Sequence, residues 1–119
     1  MTDITNVEVT AVQADGHWGA AAPAGAVRVL DVREDYEWQA GHIPGALHIP
    51  VDLIPERLDD LDPDQDLQVI CRSGGRSARV TAWLNNNGYS AVNVSGGMGA
   101  WQDAGLPMVS EDGQPPTVK

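Results

Sequence analysis

The sequence predicts an α/β domain built on a parallel β-sheet whose two faces are both covered by helices. Short apolar segments typical of buried strands alternate with segments whose apolar residues repeat at helical spacing. Glycine or proline ends several of these segments, which separates them into distinct elements. At 119 residues and 12.6 kDa, the chain has room for one compact core.

The predicted elements follow one another in a regular order. Strands are predicted over residues 27–32, 46–50, 67–70 and 91–94. Helices are predicted over residues 34–41, 52–61, 77–88 and 98–105. Gly41 and Gly88 are the expected C-terminal stops of the first and third of these helices. Residues 15–26 are expected to form a weak helix and a loop, and residues 110–119 a flexible tail after a single domain over 1–109.

Charge and composition limit the classes of partner. The net charge of −10 repels nucleic acid and anionic membrane surfaces, so neither is expected as a partner. The apolar runs are too short to span a bilayer, and the N-terminus has no secretory signal. The single cysteine cannot form an internal disulfide, and together these features favour a reducing, cytoplasmic setting.

The stretch CRSGGRS, residues 71–77, is the strongest candidate for chemistry. Cys71 directly follows the strand predicted over residues 67–70 and precedes a helix, so the thiol lies where ligands bind in parallel sheets. Gly74 and Gly75 allow a tight turn whose N–H groups point inward at a helix start, which attracts an anion. Three of the seven Lys and Arg residues follow within eight positions: Arg72, Arg76 and Arg79. The pattern predicts a thiol of lowered pKa in a pocket that prefers anions.

Other interpretations of this cysteine are weaker. A bare cysteine after an apolar strand is more often a small buried hydrophobe, but packing requires neither the glycines nor the arginines. The three histidines and the cysteine do not have metal-ligand spacing, so no metal or cofactor is expected. The Gly-Lys-Ser/Thr ending of a phosphate-binding loop is absent. Spacing alone leaves a cysteine–histidine dyad open, although the loop activates the thiol without a base.

Further motifs stand in order around this loop. VLDVRE (29–34) and GHIPGALHIP (41–50) precede it, and VSGGMGAWQDAGLPM (94–108) follows it. Together with VICRSGGRSARVTAWLNNNGY (69–89), they resemble the signatures of the rhodanese-like sulfurtransferases in their single-domain form, over roughly residues 5–108.

The resemblance implies a rhodanese-like three-layer fold, with a five-stranded parallel sheet and helices on both faces. It implies that Cys71 takes sulfane sulfur from a small anionic donor such as thiosulfate, forming a persulfide. The sulfur then passes to cyanide, a thiol or an acceptor protein. The N–H groups of residues 72–76 would cradle the persulfide, while Arg72 and Arg76 would attract the donor. The substrate-binding residues would be Arg72, Ser73, Gly74, Gly75, Arg76 and Ser77.

Loop length separates sulfurtransferases from related phosphatases and arsenate reductases. The loop from Cys71 to Arg76 resembles the six-residue sulfurtransferase loop. The related enzymes have one more residue and place arginine where this chain has Ser77. The tighter loop suits a sulfur atom, so phosphatase activity is disfavoured. A sulfur-relay or regulatory module with little free turnover stays open as the alternative, and a silent fold is disfavoured by the intact loop.

Several residues near the strand ends are assigned supporting roles. Asp31 and Arg33 are expected to form a structural ion pair or hydrogen-bond anchor, with Glu37 as a candidate third member. His42 is expected to stabilise a turn by a hydrogen bond rather than to act as a base.

The tryptophans and the last glycine pair are also interpreted structurally. Trp83 and Trp101 lie on apolar helix faces and are expected in the core. Trp38 is assigned either to the pocket mouth or to a cap on the core. Gly96 and Gly97 either allow a close approach to the cysteine loop or simply form a turn.

Overall fold

Five parallel strands form the central sheet of the part of the chain that the structure describes. The structure is a computed structural model and describes residues 3–15 and 27–119. In chain order the strands are β1 (Asn6–Val7), β2 (Arg28–Asp31), β3 (Leu47–His48), β4 (Asp66–Ile70) and β5 (Ser90–Val94). They lie across the sheet in the order β1-β5-β4-β2-β3. The predicted five-stranded parallel sheet is confirmed, with β4 and the cysteine that follows it at the centre.

Helices cover both faces of this sheet, as predicted. They are α1 (Val9–Asp15), α2 (Asp35–Ala40), α3 (Gly75–Asn86) and α4 (Gly97–Asp103). Successive side chains of β4 point to opposite faces. Val69 therefore packs in one cluster with Leu84 of α3, while Ile70 packs in another with Trp101 of α4. The layers place α3 and α4 on opposite sides of the strand that leads to Cys71.

The segment predicted as a helix over residues 52–61 is instead two short 3₁₀ helices, Val51–Leu53 and Pro55–Asp60. Pro55 has no N–H to donate to the preceding turn, so an α-helix cannot run through it unbroken. Arg57 then leaves helical geometry, with φ −115° and ψ 22°. Three apolar residues of the segment still face the core, Ile54, Leu58 and Leu61, whereas Leu53 is exposed.

The helix after the cysteine begins two residues earlier than the predicted range of 77–88. Gly74 precedes α3 with a φ of 111°, a left-handed conformation that glycine adopts without penalty. The earlier start brings Arg76 and Ser77 into the first turn of α3. Part of the predicted loop is therefore helical.

The prediction that Trp83 belongs to the core is wrong, because 37% of this residue is exposed. The stripe that α3 buries against the sheet consists of Ser77, Val80, Thr81 and Leu84. Trp83 lies at the edge of that stripe rather than within it. Trp101 is fully buried, as predicted.

Most of the predicted weak helix and loop over residues 15–26 lies outside the described residues. The first helix, α1, ends at Asp15, where that segment begins. Of the helices that the structure describes, none combines the length and the apolar character needed to cross a bilayer.

Residues 110–119, predicted as a flexible tail, cross the surface without forming a helix or a strand. The N–H of Thr117 donates to the carbonyl of Ala40 at 2.9 Å. The N–H of Val118 donates to Oε1 of Gln102 at 3.0 Å, and its side chain packs beside the α4 cluster. We call this segment the C-terminal strap. Its flexibility stays a prediction, but these contacts define its path.

Gly41→Ala is expected to loosen the strap. A Cβ at Gly41 would lie 2.5 Å from the carbonyl oxygen of Thr117 and 2.8 Å from its nitrogen, so the strap must move. Overpacking costs about 1–3 kcal/mol, so the amides of Thr117 and Val118 should exchange hydrogen roughly fivefold faster or more, as followed by NMR. In Gly88→Ala, where a Cβ meets no atom within 4 Å, both amides should keep the wild-type rate.

Candidate active site

Cys71 lies directly after β4, at the base of the loop that leads into α3. The residue is 1% exposed. Two groups at the start of α3 donate hydrogen bonds to its Sγ: the N–H of Gly74 at 3.1 Å and the hydroxyl of Ser77 at 3.2 Å. The helix of 12 residues also directs the positive end of its dipole toward the sulfur. The sulfur therefore occupies a cradle of donors.

These donors lower the pKa of the Cys71 thiol. Burial by itself raises the pKa, because it penalises the charged thiolate. Hydrogen bonds from the Ser77 hydroxyl and from the N–H groups of Ser77, Gly74 and Ser73 outweigh that penalty and leave the pKa below its ordinary value. These hydrogen bonds therefore bear out the predicted lowering of the pKa. A lower pKa favours the thiolate, which is the nucleophilic form of cysteine.

Ser77 shares its hydroxyl proton between the sulfur and a buried amide. Its Oγ lies 2.6 Å from Oδ1 of Asn93. The amide nitrogen of Asn93 donates to Oδ1 of Asn6 at 2.9 Å, which leaves the amide oxygen facing Ser77. A hydroxyl carries one proton, so the ionised sulfur draws that proton away from Asn93. The predicted substrate-binding residue Ser77 is thus fully buried and contacts the thiol itself.

Ser77→Ala is expected to move the pH profile of Cys71 reactivity to higher pH. A hydrogen bond to a charged group contributes about 1.5–3 kcal/mol, equivalent to roughly one to two pH units. Without the donor the folded-state pKa rises, so less thiolate is present at neutral pH. The midpoint of this pH profile is obtained from the rate at which iodoacetamide alkylates Cys71, measured over a range of pH.

Thr81→Val is the matched control for the loss of a buried hydroxyl. The Thr81 hydroxyl donates to the carbonyl of Ser77 at 2.8 Å but does not touch the sulfur. We expect its alkylation midpoint to equal that of the wild type. The same midpoint in Ser77→Ala would contradict the assignment of Ser77 as the donor.

The start of α4 packs directly against the backbone of the cysteine loop. The N–H of Met98 donates to the carbonyl of Cys71 at 2.8 Å. The N–H of Gly99 donates to the carbonyl of Arg72 at 3.0 Å. A Cβ at Gly97 would lie 2.4 Å from the carbonyl oxygen of Cys71, so only glycine permits this approach. Of the two interpretations of this turn, Gly97 shows the close approach to the cysteine loop.

Arg72 extends its guanidinium over α4 rather than into the core of the loop. Its Nη1 lies close to Gly99, because a Cβ added at Gly99 would be 2.4 Å from Nη1. Its Nε donates to the carbonyl of Lys119 at 3.0 Å, at the end of the strap. Ser73 and Gly75 are exposed. The attraction of an anionic donor by Arg72 stays a prediction.

Arg76 is held by a carboxylate from α2. Its Nη1 and Nη2 donate to the two carboxylate oxygens of Glu37 at 2.7 and 2.9 Å. Burial raises the pKa of Glu37, but the bond from Arg76 and one from the N–H of Glu34 outweigh it and hold the pKa below its ordinary value. The same pairing raises the pKa of Arg76. Arg76 is therefore a fixed cation at the edge of the thiol loop.

The ion pair at the end of β2 is structural, as expected. Arg33 and Asp31 are both fully buried, and Nη2 of Arg33 lies 2.8 Å from Oδ2 of Asp31. The same guanidinium donates to the carbonyl of Gly41 at 2.7 Å and to that of Glu37 at 3.3 Å. These bonds tie β2 to α2 and so position the carboxylate that binds Arg76.

His42 is bonded to its neighbours and not to the thiol. Its Nδ1 donates to the carbonyl of Ile43 at 3.1 Å, and its Nε2 lies 2.8 Å from Oε1 of Glu111. The expected hydrogen-bonding role is confirmed. Its ring stacks on Trp38 at 3.5 Å between centroids, and Trp38 also stacks on His48 at 4.6 Å.

Space for a ligand lies beside the arginine of the loop. Arg76 lines a cavity of about 220 Å³ together with Glu34, Val51 and Asp52.

Among the described residues, no three His, Cys, Asp or Glu side chains lie close enough together to hold a metal ion.

Two contacts of the site are missing from the sequence-based prediction. Glu37 stands 39 positions before Arg76, and no local pattern relates the two. Asn93 leaves a weak signal, because it is an amide in the apolar strand AVNV near the carboxyl end, where sites form in parallel sheets.

The fold and the loop have relatives among known proteins. The family model described as rhodanese-like domain matches residues 17–104. The Bacillus subtilis protein named "Putative sulfurtransferase YtwF" is 47% identical over 79 residues, which cover 66% of this chain and 77% of YtwF. A sulfurtransferase from Allochromatium vinosum is 42% identical over 88 residues, which cover 73% of this chain and 82% of that protein. The crystal structure of a rhodanese-related protein from Thermoplasma volcanium matches with a TM-score of 0.78 and 30% sequence identity. The match covers 88% of this chain and 97% of that protein.

Proposed function

Because this chain belongs to the rhodanese-like domain family, we propose that it is a sulfurtransferase that works through a persulfide on Cys71. The donor is a small anion of the thiosulfate type, and the acceptor is cyanide, a thiol or a partner protein. The observation that carries the proposal is the position of Sγ, which accepts hydrogen bonds from Gly74 and Ser77 at the start of α3. A reducing cytoplasmic setting fits, because it keeps the single cysteine a thiol.

In the first step the thiolate attacks the outer sulfur of thiosulfate. A bond forms between Sγ and that sulfur, and the S–S bond of thiosulfate breaks, with its electron pair leaving on sulfite. The lowered pKa of Cys71 increases the fraction of the nucleophilic thiolate. The positive end of the α3 dipole favours the anionic donor, and we expect the N–H groups of residues 72–76 to cradle the anionic persulfide.

In the second step an acceptor nucleophile attacks the outer sulfur. The acceptor–sulfur bond forms, and the electron pair of the breaking S–S bond returns to Sγ as a thiolate. Gly74 and Ser77, which donate to Sγ, stabilise this leaving group. The two steps together exchange one sulfur atom without any external oxidant or reductant.

Incubation with thiosulfate followed by intact mass spectrometry tests the proposal. Cys71 is the only cysteine in the sequence, so we expect the wild type to gain one sulfur atom and Cys71→Ser to gain none. If the wild type gains none, thiosulfate is not the donor. If Cys71→Ser gains sulfur equally, the persulfide mechanism is wrong.

The alternative is a sulfur-relay module with little free turnover. The loaded protein would then lose its extra sulfur slowly to cyanide but rapidly to a co-purified acceptor protein. The same mass measurement, followed over time with each acceptor, distinguishes the relay from the free enzyme.

A further inference from the structure

Asn93 is a buried amide that connects the cysteine loop to the first strand. It is 5% exposed in β5 and pairs with Asn6 of β1 across the sheet. Its Nδ2 donates to Oδ1 of Asn6 at 2.9 Å and to the carbonyl of Gly74 at 3.4 Å. A backbone carbonyl can only accept a hydrogen bond, so the contact with Gly74 fixes the amide nitrogen on that side. The amide oxygen therefore faces Ser77.

The hydroxyl of Ser77 has two acceptors and one proton. Its Oγ lies 2.6 Å from Oδ1 of Asn93 and 3.2 Å from Sγ of Cys71. A neutral thiol sulfur is a weak acceptor, whereas an ionised sulfur forms a charge-assisted bond of about twice the strength. The hydroxyl therefore donates to Asn93 while Cys71 is a thiol and to Sγ once it is a thiolate.

Loading with sulfur reverses this exchange. In the persulfide, Sγ is bonded to the outer sulfur, and the negative charge lies on the outer sulfur. Sγ is then a weak acceptor again, so the hydroxyl of Ser77 turns back to Oδ1 of Asn93. The proton stays on Oγ throughout, and only the direction of its hydrogen bond changes.

We propose that Asn93 is a positioning residue that holds the Ser77 hydroxyl while Sγ is uncharged and releases it when charge returns to Sγ. Asn93 thereby opposes the free thiolate and stabilises the loaded protein. The part that concerns the loaded protein rests on the proposed function, whereas the part that concerns the thiol does not.

Asn93→Leu removes the competing acceptor at a similar side-chain volume. The hydroxyl of Ser77 then has Sγ as its remaining acceptor, so the midpoint of Cys71 alkylation should move to lower pH by roughly half a unit to one unit, the contribution of a neutral hydrogen bond. If Asn93 merely supported the loop, its loss would withdraw the N–H of Gly74 from Sγ and move the midpoint to higher pH. A shift to higher pH, or no shift, overturns the proposal.

The charged side chains near Cys71 are the same in the wild type and in this variant. They are contributed by the loop, by the start of α3, by α2 and by the end of β2: Arg72, Arg76, Glu37, Asp31 and Arg33. The first turn of α4, residues 97–100, carries no titratable side chain. A shift of the midpoint therefore reports the hydrogen bond of Ser77 rather than a changed charge.

Two further variants separate the path through Ser77 from other effects. If Asn93 acts through Ser77, the double variant Ser77→Ala/Asn93→Leu should have the same midpoint as Ser77→Ala. Asn85→Leu is the matched control, because the Asn85 amide bonds both backbone groups of Ala91 and does not touch the sulfur. It should keep the wild-type midpoint. A double variant whose midpoint differs from that of Ser77→Ala contradicts the path through the hydroxyl.

NMR of the protein with Asn93 intact tests the same exchange if Asn93→Leu does not fold. The chemical shift of the side-chain carbonyl carbon of Asn93 should titrate with the alkylation midpoint, because the hydroxyl of Ser77 leaves that carbonyl as the thiolate forms. In Ser77→Ala the thiolate still forms, but no hydroxyl moves, so the change in chemical shift should be much smaller. Equal changes in the two proteins overturn the exchange.

The loading equilibrium tests the role of Asn93 in the loaded protein. At a pH above both alkylation midpoints and a fixed ratio of sulfite to thiosulfate, intact mass spectrometry gives the loaded fraction. The equilibrium constant for loading should be about two- to tenfold smaller in Asn93→Leu, because the hydroxyl loses its acceptor in the persulfide state. An equal or larger constant overturns this role. A wild type that gains no sulfur contradicts the proposed donor instead, and the alkylation and NMR measurements still decide the role of Asn93 toward the thiol.

Discussion

Gly97→Ala is expected to destabilise the protein by about 2–5 kcal/mol and to disturb the loop that carries the thiol. The φ of Gly97 is 56°, a left-handed conformation that costs a residue with a Cβ about 1–2 kcal/mol. The added Cβ would also lie 2.4 Å from the carbonyl oxygen of Cys71 and 2.8 Å from that of Arg72. Both contacts are with backbone, so α4 and the loop must separate, at about 1–3 kcal/mol for overpacking.

Gly105→Ala separates the conformational cost from the clash. Gly105 also has a left-handed φ, of 70°, but a Cβ there meets no atom within 4 Å. Urea denaturation should give a lower midpoint for Gly97→Ala than for Gly105→Ala. The alkylation profile of Cys71 should move to higher pH only in Gly97→Ala, because a displaced loop withdraws the N–H of Gly74 from Sγ. Equal midpoints and equal profiles would mean that α4 does not press on the loop.

The strands of the sheet are predictable where they are long enough to have a pattern. Three of the four residues 67–70 are apolar, and the observed β4 extends the predicted strand by one residue to Asp66–Ile70. β1 pairs through only Asn6 and Val7, which is too short to show any period. The spacing over residues 52–61 indicates a buried face, but it does not tell an α-helix from two 3₁₀ turns.

The chemistry of the thiol is predictable because its causes are local. The strand end, the glycine turn and the helix start all lie within residues 67–77, so their geometry follows from short-range backbone preferences. The contacts that hold the arginines join distant segments instead. Arg72 reaches Lys119 across 47 positions, and Arg76 reaches Glu37 across 39. Such pairs depend on where α2 and the strap settle in three dimensions, which no local pattern encodes.

Arg33→Met is expected to destabilise the protein by about 3–5 kcal/mol, because it leaves a buried charge without its partner. Asp31 and Arg33 are both fully buried, so water cannot replace the lost guanidinium. The carbonyls of Glu37 and Gly41 lose a donor at the same time. Since these bonds tie α2 to the sheet, the Glu37 carboxylate should also hold Arg76 less firmly, and loading of Cys71 by thiosulfate should slow.

Two further variants test whether the burial of the Asp31–Arg33 ion pair causes the loss of stability in Arg33→Met. Arg57→Met breaks an ion pair with Asp60 whose side chains are 42% and 54% exposed, and it should cost no more than about 1 kcal/mol. The double variant Asp31→Leu/Arg33→Met removes both buried charges and should be more stable than Arg33→Met alone. Urea denaturation measures all three. If Arg33→Met unfolds at the same urea concentration as Arg57→Met, the buried pair does not anchor α2. If the double variant is the least stable, the hydrogen bonds to the α2 carbonyls matter more than the unpaired carboxylate.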